Sequence, residues 1–267
     1  MDGSLLDSRH AVSEEFFALY ARLKARGIRF AAASGRQYAS IVEKLAPIAD
    51  EILVLAENGA YVRDGERELL TTAMPRADVE RVLAAVAHRP GIKPVVCTPH
   101  NAFVSRGEGE FHRFMAEFYA AHEPLDDLAA FPGEAVKVAL YHRGGSEANI
   151  YPHVAHLEGA LKVKVSGPLW VDVSHPDAHK GTGLRLVQEL YGIAPAETVA
   201  FGDYLNDLEL LAAAGRSYAM ANAHPRVLAA ARYRTASNDE RGVEMVLRKV
   251  LGEGGAGRAE EGKRGRE

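Results

Sequence analysis

Three short polar strings each follow an apolar run: Ser34-Gly35-Arg36 after residues 28–33, Glu57-Asn58-Gly59 after 52–56, and Gly202-Asp203-Tyr204-Leu205-Asn206-Asp207 after 198–201. In an open parallel sheet, ligands gather outside the carboxyl ends of the strands, so polar residues at those ends are the first candidates for chemistry. Asp203 falls at a strand tip and Asp207 in the turn or first helical turn behind it, which puts two carboxylates on one rim. Hard oxygen ligands of this kind suit magnesium, which takes few protein carboxylates and leaves positions to water and a phosphate. The same aspartates also read as turn-forming and capping residues, so this string alone leaves both readings open. Lys180 at the start of a helix and Ser34 at a strand end have bland readings too, a solvated lysine and a helix cap.

The elements that must position these residues follow from periodicity. Phe16, Phe17, Leu19, Tyr20 and Leu23 recur at helical spacing after Ser13, a good N-cap, with Glu14 and Glu15 at the positive end and Gly27 as the stop. The runs at 28–33 and 52–56 read as buried strands flanking a helix at 37–45, and residues 60–72 read as a hairpin around Asp64-Gly65. Helix, strand, helix, strand is the alternation that builds a parallel sheet. From Pro75 the rhythm changes. A helix to His88, strands at 95–98 and 102–105, a helix at 110–121, a half-buried strand at 136–142, helical residues 146–160 and strands at 163–165 and 170–173 describe an α+β insert. The α/β alternation then resumes, with a helix at 180–191 closed by Gly192, a strand at 198–201, and helices at 208–214, after Pro225 and at 242–251.

The expected fold class is therefore α/β, a Rossmann-like parallel sheet core with an inserted α+β cap. The expected division is 1–74 with 177–251 as core, 75–176 as cap, and 252–267, rich in Gly, Glu, Arg and Lys, as a disordered tail. In that tail Gly252, Gly254 and Gly257 spell G-x-G-x-x-G, but after a helix instead of a strand, and residues 257–263 nearly spell a P-loop with Arg264 in place of Ser or Thr. Both are accidents of composition. The nucleotide-dependent oxidoreductase reading loses its fingerprint.

Composition narrows the classes further. The 267 residues are 47% hydrophobic and 25% charged, enough to bury a core without staples. Cys97, the only cysteine, excludes a disulfide scaffold and a multi-cysteine zinc site, and fits a reducing cytosol. A net charge of -4 argues against nucleic acid as a partner, and no apolar run approaches the ~18 residues of a membrane span. A cytoplasmic location is expected, and the oligomeric state stays open. His153 with His156, and His175 with His179, lack the further ligands of a zinc site, although His175 or His179 could approach substrate. Trp170 reads as cap core first, and Asp172 as either core or specificity residue.

Taken together and in order, Asp2-Gly3-Ser4-Leu5-Leu6, Ser34, Lys180 and Gly202-Asp203 with Asn206-Asp207 resemble the four motifs of the haloacid dehalogenase superfamily, and within it the Cof-type phosphatases. The resemblance runs from residue 1 to about 251. It implies a Mg²⁺-dependent phosphatase acting on small phosphorylated metabolites, sugar phosphates first and flavin or pyridoxal phosphates behind, through an aspartyl-phosphate intermediate. Carried over by position, it makes Asp2 the general acid and base and a metal ligand through its backbone carbonyl. It gives Ser34 and Lys180 the phosphoryl group, with Gly3, Gly35, Asn58 and Asn206 on the phosphate side, and Asp203 and Asp207 the Mg²⁺. The family's nucleophile is an aspartate two positions before Asp2, ahead of Met1. Met1 is thus expected to be the internal residue of an Asp-Met-Asp-Gly-Ser motif whose apolar strand lies upstream, and the 267 residues alone to be poorly folded and without Mg²⁺-dependent turnover. A catalytically inactive relative that keeps a phosphate or metal pocket shares every motif except that nucleophile.

Overall fold

The computed structural model describes residues 1–107, 109–116 and 118–253. Most of the expected tail therefore lies outside the described residues, as do Gly254, Gly257 and Lys263 of the two chance motifs. The chain is α/β and forms two compact units, Met1–Phe30 with Leu184 onward, and Ala31–Gly183. No helix among the described residues is long and apolar enough to cross a membrane.

The unit of residues 31–183 holds two sheets. The first has the order β1 (Ala31–Ala33), β2 (Leu53–Ala56), β3 (Tyr61–Asp64), β4 (Arg67–Thr71), with β1 and β2 parallel and the rest antiparallel. Every residue of β2 is buried, as an unbroken apolar run requires. Gly65, at φ +54°, turns the expected hairpin. Strand β1 starts later than its apolar run. Gly27 N–H bonds Lys24 O and Ile28 N–H bonds Leu23 O, a helix-ending pair that takes Ile28 for the C-terminus of the preceding helix and leaves it exposed.

The second sheet uses β5 (Lys93–Cys97), β6 (Ala102–Ser105), β7 (His122–Leu125), β8 (Lys137–Tyr141), β9 (Lys162–Gly167) and β10 (Trp170–Ser174), in the order β7-β6-β5-β8-β10-β9. Alternation splits its residues between two faces. Val96, Val138, Leu140, Val171 and Val173 pack with Val79, Val82 and Val86 of the helix Arg76–Val86. Val95, Cys97 and Ala139 pack on the other side with Met115 and Tyr119, and Trp170 packs against that cluster half-buried.

Two expectations fail here. The helix expected to residue 121 stops at Met115, and β7 instead pairs parallel with β6. Residues 146–160 break into Ser146–Asn149, Tyr151–Val154 and a 3-10 turn, Ala155–Leu157. Pro152 lacks an N–H and fits only the first turn of a new helix, so one continuous helix cannot form.

The other unit contains a parallel sheet, β11 (Val199–Gly202), β12 (Arg216–Ala219) and β13 (Tyr233–Arg234). Its helix Glu14–Ala25 starts at Ser13, whose Oγ accepts the Phe16 N–H at 3.1 Å and donates to the buried Glu244 of the helix Gly242–Val250 at 2.6 Å. The boundary between the units falls within the helix Lys180–Tyr191.

Candidate active site

In the unit of residues 31–183, the end of β1 and the end of β2 are stitched together by backbone. Ser34 N–H donates to Leu55 O at 3.0 Å, Asn58 N–H to Ser34 O at 2.9 Å, and Glu57 N–H to Arg36 O at 3.0 Å. Ser34 is buried, and its Oγ accepts the Arg36 N–H at 3.1 Å. Glu57, Asn58 and Gly59 all have positive φ, at 49°, 57° and 86°, which makes a tight left-handed turn. That turn presses on the start of the helix Lys180–Tyr191, because a Cβ on Gly59 would stand 2.6 Å from His179 O and 3.0 Å from Lys180 Cα. A Cβ on Gly35 would likewise meet Asn58 Oδ1 at 3.0 Å. Thus Ser34, Gly35, Asn58 and the buried Lys180 gather at one place, where strand ends and a helix start meet.

Behind them lies a charged cluster that sequence reasoning missed. Lys137 Nζ is 2.7 Å from Glu57 Oε2, 3.6 Å from Asp172 Oδ2, and donates to Gly35 O at 3.0 Å. Asn58 Nδ2 donates to Asp172 Oδ2 at 3.0 Å. All three charged side chains are buried. The Lys137–Glu57 contact is an ion pair off hydrogen-bond geometry, so neither Glu57 carboxylate oxygen has a hydrogen-bond partner among the described residues. Burial pushes the Glu57 carboxyl up, with the Lys137 cation pulling the other way. Burial alone would lower Lys137, but the Asp172 and Glu57 carboxylates outweigh it and hold the ammonium well above its usual range. The early signals were the polar string Glu57-Asn58-Gly59 and Asp172, read as either core or specificity residue; Lys137 carried none. The alternation expected at 136–142 sets Lys137 on a solvated face, and the structure buries it.

The other unit gathers Asp2, Gly3, Asp203, Asn206 and Asp207. Residues 1–6 form a turn in which Ser4, Leu5 and Leu6 N–H groups all reach Met1 O, at 3.2, 2.9 and 3.0 Å. Ser4 Oγ donates to Asp203 Oδ1 at 2.7 Å. Gly3 has φ +65°, and a Cβ there would lie 2.7 Å from Asp203 Cγ. Asn222 Nδ2 donates to Gly3 O at 2.8 Å, and His224 N–H to Asp203 O at 2.8 Å. Ser4, Asn222 and His224 are further residues of this group, and the Ser that follows Asp2-Gly3 was the available signal for the first. Asp207 is buried and its Oδ2 accepts the N–H groups of Asp203 and Tyr204 at 3.0 and 3.3 Å, which ties down the loop containing Asn206. Asp2 is partly exposed, with Oδ1 3.2 Å from His10 Nδ1.

The donor set here, Asp203 and Asp207 four positions apart on one loop, is hard oxygen and fits magnesium better than zinc. Among the described residues no group of three or more His, Cys, Asp or Glu could hold a metal ion. Water and phosphate oxygens would have to complete the shell, as magnesium tolerates. His175 and His179 act as local caps: the Asp177 and Thr182 N–H groups donate to their Nδ1 atoms, both at 3.2 Å. His153 and His156 fall in separate short helices.

A family model described as haloacid dehalogenase-like hydrolase matches residues 1–247. The chain is 34% identical over 254 residues to the 5-amino-6-(5-phospho-D-ribitylamino)uracil phosphatase YbjI of Escherichia coli strain K12, covering 94% of each. It is 28% identical over 239 residues to an HMP-PP phosphatase of Serratia proteamaculans, covering 85% of this chain and 84% of that one. Among solved structures, a protein from Streptococcus mutans UA159 superposes with a TM-score of 0.87 at 27% identity, over 94% of this chain and 97% of its own.

Proposed function

The chain belongs to the haloacid dehalogenase-like hydrolases and is a phosphoric monoester hydrolase of the Cof type, and on that premise we propose that it is a magnesium-dependent phosphatase of small metabolites phosphorylated on a sugar or sugar-alcohol chain. The name of the Escherichia coli relative, with its phosphate on a ribityl group, supports that class. It falls within the sugar phosphates that the family resemblance puts first.

The observation that carries the reading is the Ser4 hydroxyl on the Asp203 carboxylate, which joins the first and last motifs across 199 positions of sequence. Asp203 and Asp207, with the Asp2 backbone carbonyl, are the residues assigned to magnesium. Asp207 acts largely by fixing the Asp203 backbone through its Oδ2. When bound, the ion supplies positive charge against the phosphoryl oxygens. Ser34 Oγ already accepts the Arg36 N–H, so its own hydroxyl hydrogen is the one to donate to a phosphoryl oxygen. Lys180 brings a positive charge, and Gly3, Gly35, Asn58 and Asn206 are the residues assigned to the phosphate. Phosphoryl transfer asks chiefly for such positioning and charge stabilisation. Asp2, partly exposed, exchanges protons with the leaving oxygen and with water as general acid and base. In this reading residues 75–176 are the cap, and 1–74 with 177–251 the core.

The test is a hydrolysis screen over sugar phosphates, flavin and pyridoxal phosphates and 5-amino-6-(5-phospho-D-ribitylamino)uracil, run on this chain and on an N-terminally extended one. Turnover by the extended chain is expected to vanish with chelator and return with Mg²⁺, and Asp203→Asn to lower kcat by about 10²–10³. Turnover indifferent to both would overturn the proposal. Phosphate binding without turnover in the extended chain would favour the inactive binding protein.

A further inference from the structure

We propose that Lys137 and Asp172 are positioning residues for the phosphate-handling turn, holding the Gly35 carbonyl and the Asn58 side-chain amide from the six-stranded sheet. The inference rests on the phosphate role given to Ser34, Gly35 and Asn58.

The register shows how the sheet delivers them. Asp172 of β10 pairs with Ala139 of β8, and Lys137 of β8 pairs with both Cys97 and Ser174. Alternation therefore sets Lys137, Ala139, Trp170, Asp172 and Ser174 on one face, the face that carries Cys97 and Tyr119. Two charged side chains from neighbouring strands thus emerge side by side. They reach polar atoms of the turn, not its apolar flank. Lys137 takes the carbonyl of Gly35, the residue after Ser34, and Asp172 takes the amide of Asn58.

A packing role alone does not account for this choice of residues. Apolar side chains of similar volume fill a buried site at least as well as an ion pair does, and without its desolvation penalty. What the charges add is direction. Asn58 lies at φ +57°, and the Asp172 carboxylate fixes which way its amide faces. The Gly35 carbonyl, held by an ammonium, cannot rotate toward an incoming phosphate, with which it would clash electrostatically. One cation between two carboxylates also keeps Lys137 committed to the turn.

A double-mutant cycle decides it, with inorganic phosphate as competitive inhibitor and p-nitrophenyl phosphate as substrate, on the extended chain. Asp172→Leu is expected to raise the phosphate Ki and the KM about ten-fold with kcat changed less than about three-fold, and Asp172→Asn, which keeps an acceptor for Asn58, to restore both within about three-fold. In an Asn58→Ala background, Asp172→Leu is expected to add less than about two-fold, because its route to the phosphate is already gone. Should Asp172→Leu fail to fold, Asp172→Ala, which leaves room for water beside Lys137, is measured against the same criteria. Equal effects in both backgrounds, or an unchanged Ki, overturn the positioning role while wild-type turnover leaves the proposed function standing. Neither turnover nor phosphate inhibition in the wild type removes that function and the positioning role with it.

Discussion

Lys137 places a full positive charge in the interior of its unit. Its ammonium is buried against Glu57 and Asp172, and removing one partner of a buried pair leaves uncompensated charge. Lys137→Met is therefore expected to destabilise the fold by about 3–5 kcal/mol, read as a shift in the urea midpoint at unchanged m-value. A shift within about 0.5 kcal/mol, the size of an ordinary surface substitution, would show that the pair is not buried as described. Cys97 gives a second, independent reading of the same interior. Burial first, and the Glu57 carboxylate next, push its thiol far above the usual range, so it stays protonated and unreactive. Iodoacetamide is expected to leave Cys97 unlabelled in the native protein and to label it in denaturant.

Glycines set the geometry at the level of elements. Gly59 combines φ +86° with a Cβ position 2.6 Å from the His179 carbonyl, so an alanine must distort either the turn or the start of the helix Lys180–Tyr191. Gly59→Ala is expected to cost about 1–3 kcal/mol and, by displacing Lys180, to lower kcat. An unchanged melting temperature would contradict the close approach. Much of this scaffold was legible in the sequence. The helix after Ser13, strand β2 and the hairpin of β3 and β4 carry local signals, a cap, an unbroken apolar run and an Asp-Gly turn. The polar strings of the site were legible for the same reason, since each ends an apolar run. What local patterns did not show were contacts made by distant chain segments. Lys137 alternates with valine and so reads as solvated, yet Glu57, 80 positions earlier, arrives to cover it. Strand β7 exists because β6 offers it a parallel edge, which no window of sequence contains.

Stability against pH collects these groups into a property of the whole molecule. The exposed carboxyls of Asp7, Glu240 and Glu253 are held down, by the Ala11 N–H, the Ser237 hydroxyl and the Arg22 guanidinium respectively. Their contributions are present above their unfolded values and fade as pH falls through the folded ones. Glu57 works in the opposite sense. Its folded value lies above the usual 4.5, so the folded chain retains a proton that the unfolded chain has released. Its contribution is full below 4.5 and is lost as pH rises through the folded value. Lys137, raised above 10.5, stays charged throughout that interval and cannot mask the effect. Glu57→Gln removes the titration while keeping the side-chain shape. Measured as urea midpoints from acid to neutral pH, the variant is expected to gain on the wild type as pH climbs from 4.5, then run parallel to it once Glu57 is ionised in both states. A difference that is flat over that interval, or that grows toward acid, would mean the Glu57 carboxyl is not raised by burial, and the charged cluster around the turn of residues 57–59 would need a different balance.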